Sequence, residues 1–229
     1  MNRIILFVAA TATLLMSAQA DAQFRGLKDS VDSVAGAAEE VAAPADVSQE
    51  AIVQNFVAAN DLVHEANAVL LEAFGEKDRA AAYRETASAL SAAATEGDKD
   101  AMKEGMVLTK ETSELFEGLM ERGAEISGEG REKYVEGLVL AVDSFVATKG
   151  LAEDATAFAT SAQQQIKSAS MMQKAKVTKK LAAGMFVAKE LPRFTTDLMD
   201  TLGKLVTFAK SADIPTPEPD EATSFLAAL

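Results

Sequence analysis

The chain has 229 residues, 48% hydrophobic and 25% charged, and contains no cysteine. It therefore has to build its core by apolar burial alone, with no disulfide, thiolate nucleophile or thiolate metal site. A formal net charge of −13 argues against nucleic acid as a partner, because binding there needs clustered lysine and arginine to displace counterions.

Met1-Asn2-Arg3 is a short basic start, followed by an apolar run from Ile4 to Met16. Ala18-Gln19-Ala20, or Ala20-Asp21-Ala22 in a second frame, supplies the small residues of a signal-peptidase site. The run is well short of the ~20 residues that a spanning helix needs. The expectation is a cleaved signal peptide over 1–20 (or 1–22), with the mature protein exported to the periplasm or beyond it. Residues 23–45 read as a weakly helical N-terminal arm, with Leu27, Val31, Val34, Ala38 and Val41 at three- and four-residue spacing around Gly36.

The bundle domain is placed at 46–212. Ser48 is the expected N-cap of its first helix, with Val47 stapling onto Ile52. The core face of that helix is Ile52, Phe56, Ala59, Val63, Ala66, Leu70 and Phe74, widened by Val53, Val57, Leu62, Val69 and Leu71, and Gly75 ends it. An alanine-rich helix follows, capped by Asp78 and carrying Tyr83, Ala87 and Leu90 inward as far as Ala94. Gly97-Asp98 turns the chain into a helix over 100–122, and Ser127 to Gly130 reads as a loop. Tyr134, Leu138, Val142 and Phe145 mark a helix ending at Lys149-Gly150, and Leu151, Ala155, Phe158, Ala162 and Ile166 mark another. Ser168 to Ser170 is a candidate break. Met171 to Leu191 then predicts a further helix, and Pro192 is expected at the start of the last one, where its missing N–H costs nothing.

Residues 213–229 form a proline-rich tail, with Pro215, Pro217 and Pro219 ahead of an apolar tip at Phe225, Leu226 and Leu229. Alanine-rich composition, helical spacing throughout and short connections together predict an all-α fold. The predicted architecture is a multi-helix antiparallel bundle of about seven or eight helices.

No constellation for catalysis or metal binding is expected, and none for a cofactor. His64 is the only histidine, with Asp61, Asn60 and Asn67 around it. A ferritin-like di-iron site needs two Glu-x-x-His pairs, which one histidine cannot supply. The reading is therefore a solvent-facing polar stripe opposite Ile52 and Phe56. Glu111, Glu114, Glu117 and Glu121 read as a solvated acidic face.

Charge is unevenly distributed. Residues 167–193 hold seven positive side chains against Glu190 alone, whereas residues 21–166 hold 12 against 28 negative ones. Lys174, Lys176, Lys179, Lys180, Lys189 and Arg193 form a basic patch. Such a patch either packs beside acidic helices of the same bundle or meets anionic lipid headgroups or an acidic partner. Methionines at 102, 106, 120, 171, 172, 185 and 199 are expected mostly on apolar helix faces, where thioethers fill irregular space.

The functional expectation is a non-catalytic periplasmic bundle that binds or carries a hydrophobic ligand of the lipid, fatty acid, sterol or hopanoid class. Phe116, Met120, Phe145, Phe158, Met185 and Phe194 are the candidate lining. Under this expectation the basic patch meets a headgroup or makes transient contact with an anionic donor or acceptor membrane. The alternative is an envelope adaptor or chaperone-like protein acting through protein–protein contacts.

Overall fold

A computed structural model of the chain describes residues 48–216. The predicted signal peptide and N-terminal arm, Val47, and the tail from residue 217 with its apolar tip lie outside the described residues. Within them the fold is all-helical, with six helices and no strand. These are α1 (Gln49–Ala73), α2 (Lys77–Thr95), α3 (Lys99–Glu121), α4 (Gly128–Ser168), α5 (Met171–Lys180) and α6 (Ala182–Ser211).

The helix ends follow local chemistry. Ser48 caps α1 by accepting from Ala51 N at 3.1 Å. Asp98 caps α3 through Asp100 N and Ala101 N at 2.9 and 3.3 Å, and Ser127 caps α4 through Gly130 N at 3.1 Å. The first three helices close in the same way. Gly75, Gly97 and Gly123 take positive φ, and the next N–H reaches back five residues, from Glu76 to Leu71, Asp98 to Ala93 and Ala124 to Leu119. Asp213 does the same after α6 at φ 54, returning Ile214 N to Ala209 O and burying Ile214.

Four boundaries differ from those predicted. Asp78 lies in the first turn of α2 rather than capping it, and Glu76 is the cap position. Ser127 to Gly130 is a helix start rather than a loop. The predicted break at Lys149-Gly150 does not exist, because α4 runs on for 41 residues. Its buried stripe of Phe145, Thr148, Leu151, Ala155, Phe158 and Ala162 crosses Gly150 without losing phase, and packing outweighs the propensity cost of about 1 kcal/mol for one glycine. The predicted break at Pro192 moves to Leu181. Pro192 sits inside α6 on its exposed side, while Val187, Leu191, Phe194, Leu198, Leu202 and Leu205 continue the buried stripe past it.

Helix α1 is the hub. It packs on α4 over its whole length, on α2, and also on α3 and α6, while α4 packs along α6. Glycines let α1 and α4 approach closely. A Cβ on Gly137 would stand 2.7 Å from Leu70 Cγ, and one on Gly130 would stand 2.6 Å from the carbonyl oxygen of Ala73. At this end of the bundle Phe74 is ringed by Phe116, Tyr134 and Phe208, with centroids 5.7 to 5.9 Å away. Tyr134 donates its buried hydroxyl to Leu205 O at 2.9 Å, tying α4 to α6. Glu72 of α1 bridges Arg84 of α2 and Lys133 of α4 at 2.5 and 3.7 Å, and Arg84 also holds Glu65 at 2.8 Å.

At the opposite end, near the start of α1, Phe56 meets Phe194 edge-on at 6.1 Å. There Phe158 lies over Gly184, whose N–H donates to Gln49 Oε1 at 3.2 Å. Helix α4 therefore runs antiparallel to α1 and outruns it. At 1.5 Å per residue, α4 is about 60 Å long and α1 under about 40 Å.

Candidate functional site

Three features have polar or apolar chemistry beyond ordinary packing: a buried polar cluster, a surface groove, and the α4–α5 tip.

The polar cluster lies between α1, α2 and α3, and it corrects the solvent-facing stripe expected around His64. Asn60, His64 and Asn67 are all buried, as is Tyr83 opposite them. The Asn60 side-chain amide and His64 Nε2 share a hydrogen bond at 2.8 Å, and His64 Nδ1 and the Tyr83 hydroxyl share another at 2.7 Å. Asn67 Nδ2 donates to the same hydroxyl at 3.0 Å. Gly105 of α3 makes the approach possible, since a Cβ there would lie 3.0 Å from Asn60 Nδ2.

Burial pushes His64 down to about 4, so the ring is neutral near pH 7, and burial raises Tyr83 to about 12. Asp61 does not join His64. Desolvation beside α2 raises its carboxyl above the ordinary value, against the opposing hydrogen bond from Ser91. Neither the groove between α3 and α6 nor that between α2 and α3 includes the imidazole in its lining. The cluster is a polar clamp joining three helices.

The groove is open, about 710 Å³, and runs between α3 and α6. Met120, Met199 and Phe208 form its apolar floor, and the Glu117–Lys204 ion pair crosses its rim.

The six candidate ligand residues do not converge on one cavity. Phe116 is spent in the ring cluster around Phe74, and Phe158 and Phe194 lie at the other end of the bundle against Gly184 and Phe56. Phe145 is buried in the continuous core, and Met185 packs against that core half-buried. Met120 alone lines the groove.

The α4–α5 tip is the largest departure from what the sequence suggests. Ala169 and Ser170 adopt extended backbone, turning α4 into α5. No residue between Ala162 and Leu181 is buried. Met171 and Met172 are 94% and 93% exposed, against the expectation of apolar helix faces. On α5 only Val177 leans on the core. Lys174, Lys176, Lys179 and Lys180 are fully on the surface and pair with no carboxylate among the described residues, so these lysines are not neutralised by acidic helices of the bundle. The other two members of the predicted patch sit on α6 and are paired on their own helix, Lys189 with Glu190 at 3.0 Å and Arg193 with Asp197 at 3.8 Å. The patch therefore divides into a paired part on α6 and an unpaired part on α5.

Among the described residues no helix is long and apolar enough to cross a membrane. No protein-family model, curated protein or solved structure matches the chain.

Proposed function

We propose that the chain is a non-catalytic interaction protein of the cell envelope that works through its surface, at the α4–α5 tip, rather than through its core. The observation that carries this reading is an 18-residue stretch, 163–180, with five lysines, no carboxylate and no buried residue, on a protein whose overall charge is −13. Unpaired charge and exposed thioethers contribute nothing to the bundle's own packing, which leaves them available to a partner. With the signal peptide expected over residues 1–20 (or 1–22), that contact would be made in the periplasm or outside the cell. A photo-crosslinking residue at position 172 should give an adduct in the living cell, and the same residue at Glu111 should not. Adducts at 111 with none at 172 would contradict the proposal.

A second reading keeps the hydrophobic ligand but moves its site from the core to the α3–α6 groove. The apolar floor of Met120, Met199 and Phe208 beneath a charged rim favours it. Native mass spectrometry of protein purified from its host should then show a lipid-sized adduct that Met199→Lys removes. An adduct that survives the substitution would argue against the groove.

A further inference from the structure

We propose that the α4–α5 tip docks on an anionic lipid bilayer, with Met172 entering the headgroup layer and Lys176, Lys179 and Lys180 lying over the phosphates. The inference rests on the reading that the tip is the contact surface, and it names the partner.

The geometry of α5 orients the docking. Met172, Lys176, Lys179 and Lys180 fall at i, i+4, i+7 and i+8, which is one face of a helix. Val177, which packs against the core, lies roughly a third of a turn round from the middle of that face, beside Lys180. That face presents one exposed methionine at the corner and three lysines behind it, whereas Lys174, also exposed, lies on the other side of the helix near Val177. Lysine stems lie along an interface while their ammonium groups stay in the phosphate layer, and unbranched thioethers adapt to disordered acyl chains.

Charge selects the same orientation. Residues 163–180 carry no acidic side chain, so nothing on the tip repels an anionic surface, whereas acidic residues predominate on the rest of the molecule. An anionic membrane thus attracts the tip and repels the body, standing α4 away from the surface. A well-ordered acidic protein partner would answer the lysines, but it would leave two adjacent, almost fully exposed methionines in search of a fitted apolar pocket. A bilayer satisfies both without one.

The test is flotation of the full mature chain with vesicles of phosphatidylcholine alone and of equal parts phosphatidylcholine and phosphatidylglycerol. Wild type should float with the anionic vesicles only, and added salt should release it. Each lysine near the surface contributes about fivefold, so the triple variant Lys176→Glu, Lys179→Glu, Lys180→Glu should bind at least about a hundredfold more weakly. Met171→Ser with Met172→Ser should weaken binding while leaving its salt dependence unchanged. Because the chain lacks cysteine, Met172→Cys accepts a single environment-sensitive fluorophore, which should shift to the blue on anionic vesicles. All these positions are exposed, so the variants should melt like wild type.

Equal flotation on both vesicle types, no flotation, or undiminished flotation of the triple lysine variant would overturn the inference. A protein adduct at position 172 in the cell, together with no flotation, would overturn lipid docking and leave the contact reading standing. Absence of both would overturn both.

Discussion

His64 Nδ1 lies 2.7 Å from the hydroxyl of Tyr83, joining α1 to α2 inside the bundle, and the imidazole is held there in its neutral form. The sign of the resulting pH dependence follows from the direction of the shift. Burial lowers the folded-state value from 6.5 to about 4, so between those values the unfolded chain binds more protons than the folded one. Stability is then fully present above about pH 6.5, falls as the pH drops through that window, and levels off below about 4, for a total loss on the order of 3 kcal/mol. Asp61, raised by burial, acts with the opposite sign at the acid end. Urea unfolding of wild type and His64→Gln across pH 4 to 7 isolates the histidine. The variant should be less stable at pH 7 and should lack the slope. Parallel pH profiles for the two proteins would refute the buried neutral histidine.

The burial of His64 was legible in the sequence, but only in a pattern easily read otherwise. Val53, Val57, Asn60, His64, Asn67 and Leu71 recur at four- and three-residue spacing, so the three polar residues occupy a stripe whose two ends are apolar and buried. Residue type alone assigns them to solvent. Their position between Val57 and Leu71 assigns them to an interface, and Tyr83 supplies the hydroxyl they need. The partner on α2 was visible only as an inward tyrosine.

Two glycines of α4 should respond oppositely to alanine. At Gly137 the new Cβ meets Leu70 Cγ at 2.7 Å and Leu70 N at 3.2 Å, and Leu70 is fully buried on the hub helix and has no room to move. Overpacking of about 1–3 kcal/mol should exceed the gain of about 1 kcal/mol in helix propensity, so Gly137→Ala should lower Tm by several degrees. At Gly150 nothing stands within 4 Å of the new Cβ, so Gly150→Ala should raise stability by up to about 1 kcal/mol. Thermal melts of the two variants against wild type give the two signs.

Pro192 offers a second stabilising change. It has no N–H to give to the carbonyl of Ala188 four residues back, and it lies exposed on α6. Pro192→Ala restores that hydrogen bond at no cost to the buried stripe and should stabilise the fold by about 1–3 kcal/mol. Calorimetry would show it as a higher Tm. A lower one would mean that the packing of α6 on α4 depends on the proline.

Pro192 and Gly150 also show where sequence reading placed the helix boundaries wrongly. Both residues disfavour a helix interior, and each by itself predicts a helix end. In each case the apolar stripe on either side keeps a single phase, so packing against α1 and α4 overrides local preference. The real break, at Leu181, carries no residue that signals a turn. What sets it apart is the sudden start of burial there, after a stretch from 163 to 180 that has none. The unevenness of charge in that stretch was legible, but its freedom from carboxylates on neighbouring helices was not, because sequence does not show which helix faces meet.

Thiol reactivity tests the central claim, a filled core with the contact surface outside it, most directly. The cysteine-free chain allows single probes at Met172→Cys, Phe116→Cys and Phe158→Cys. In native buffer, position 172 should react as fast as in denaturant, while positions 116 and 158 should react only at the rate of global unfolding. Rapid native labelling at 116 or 158 would reveal an accessible interior and contradict the account, as would protection at 172 in the isolated protein.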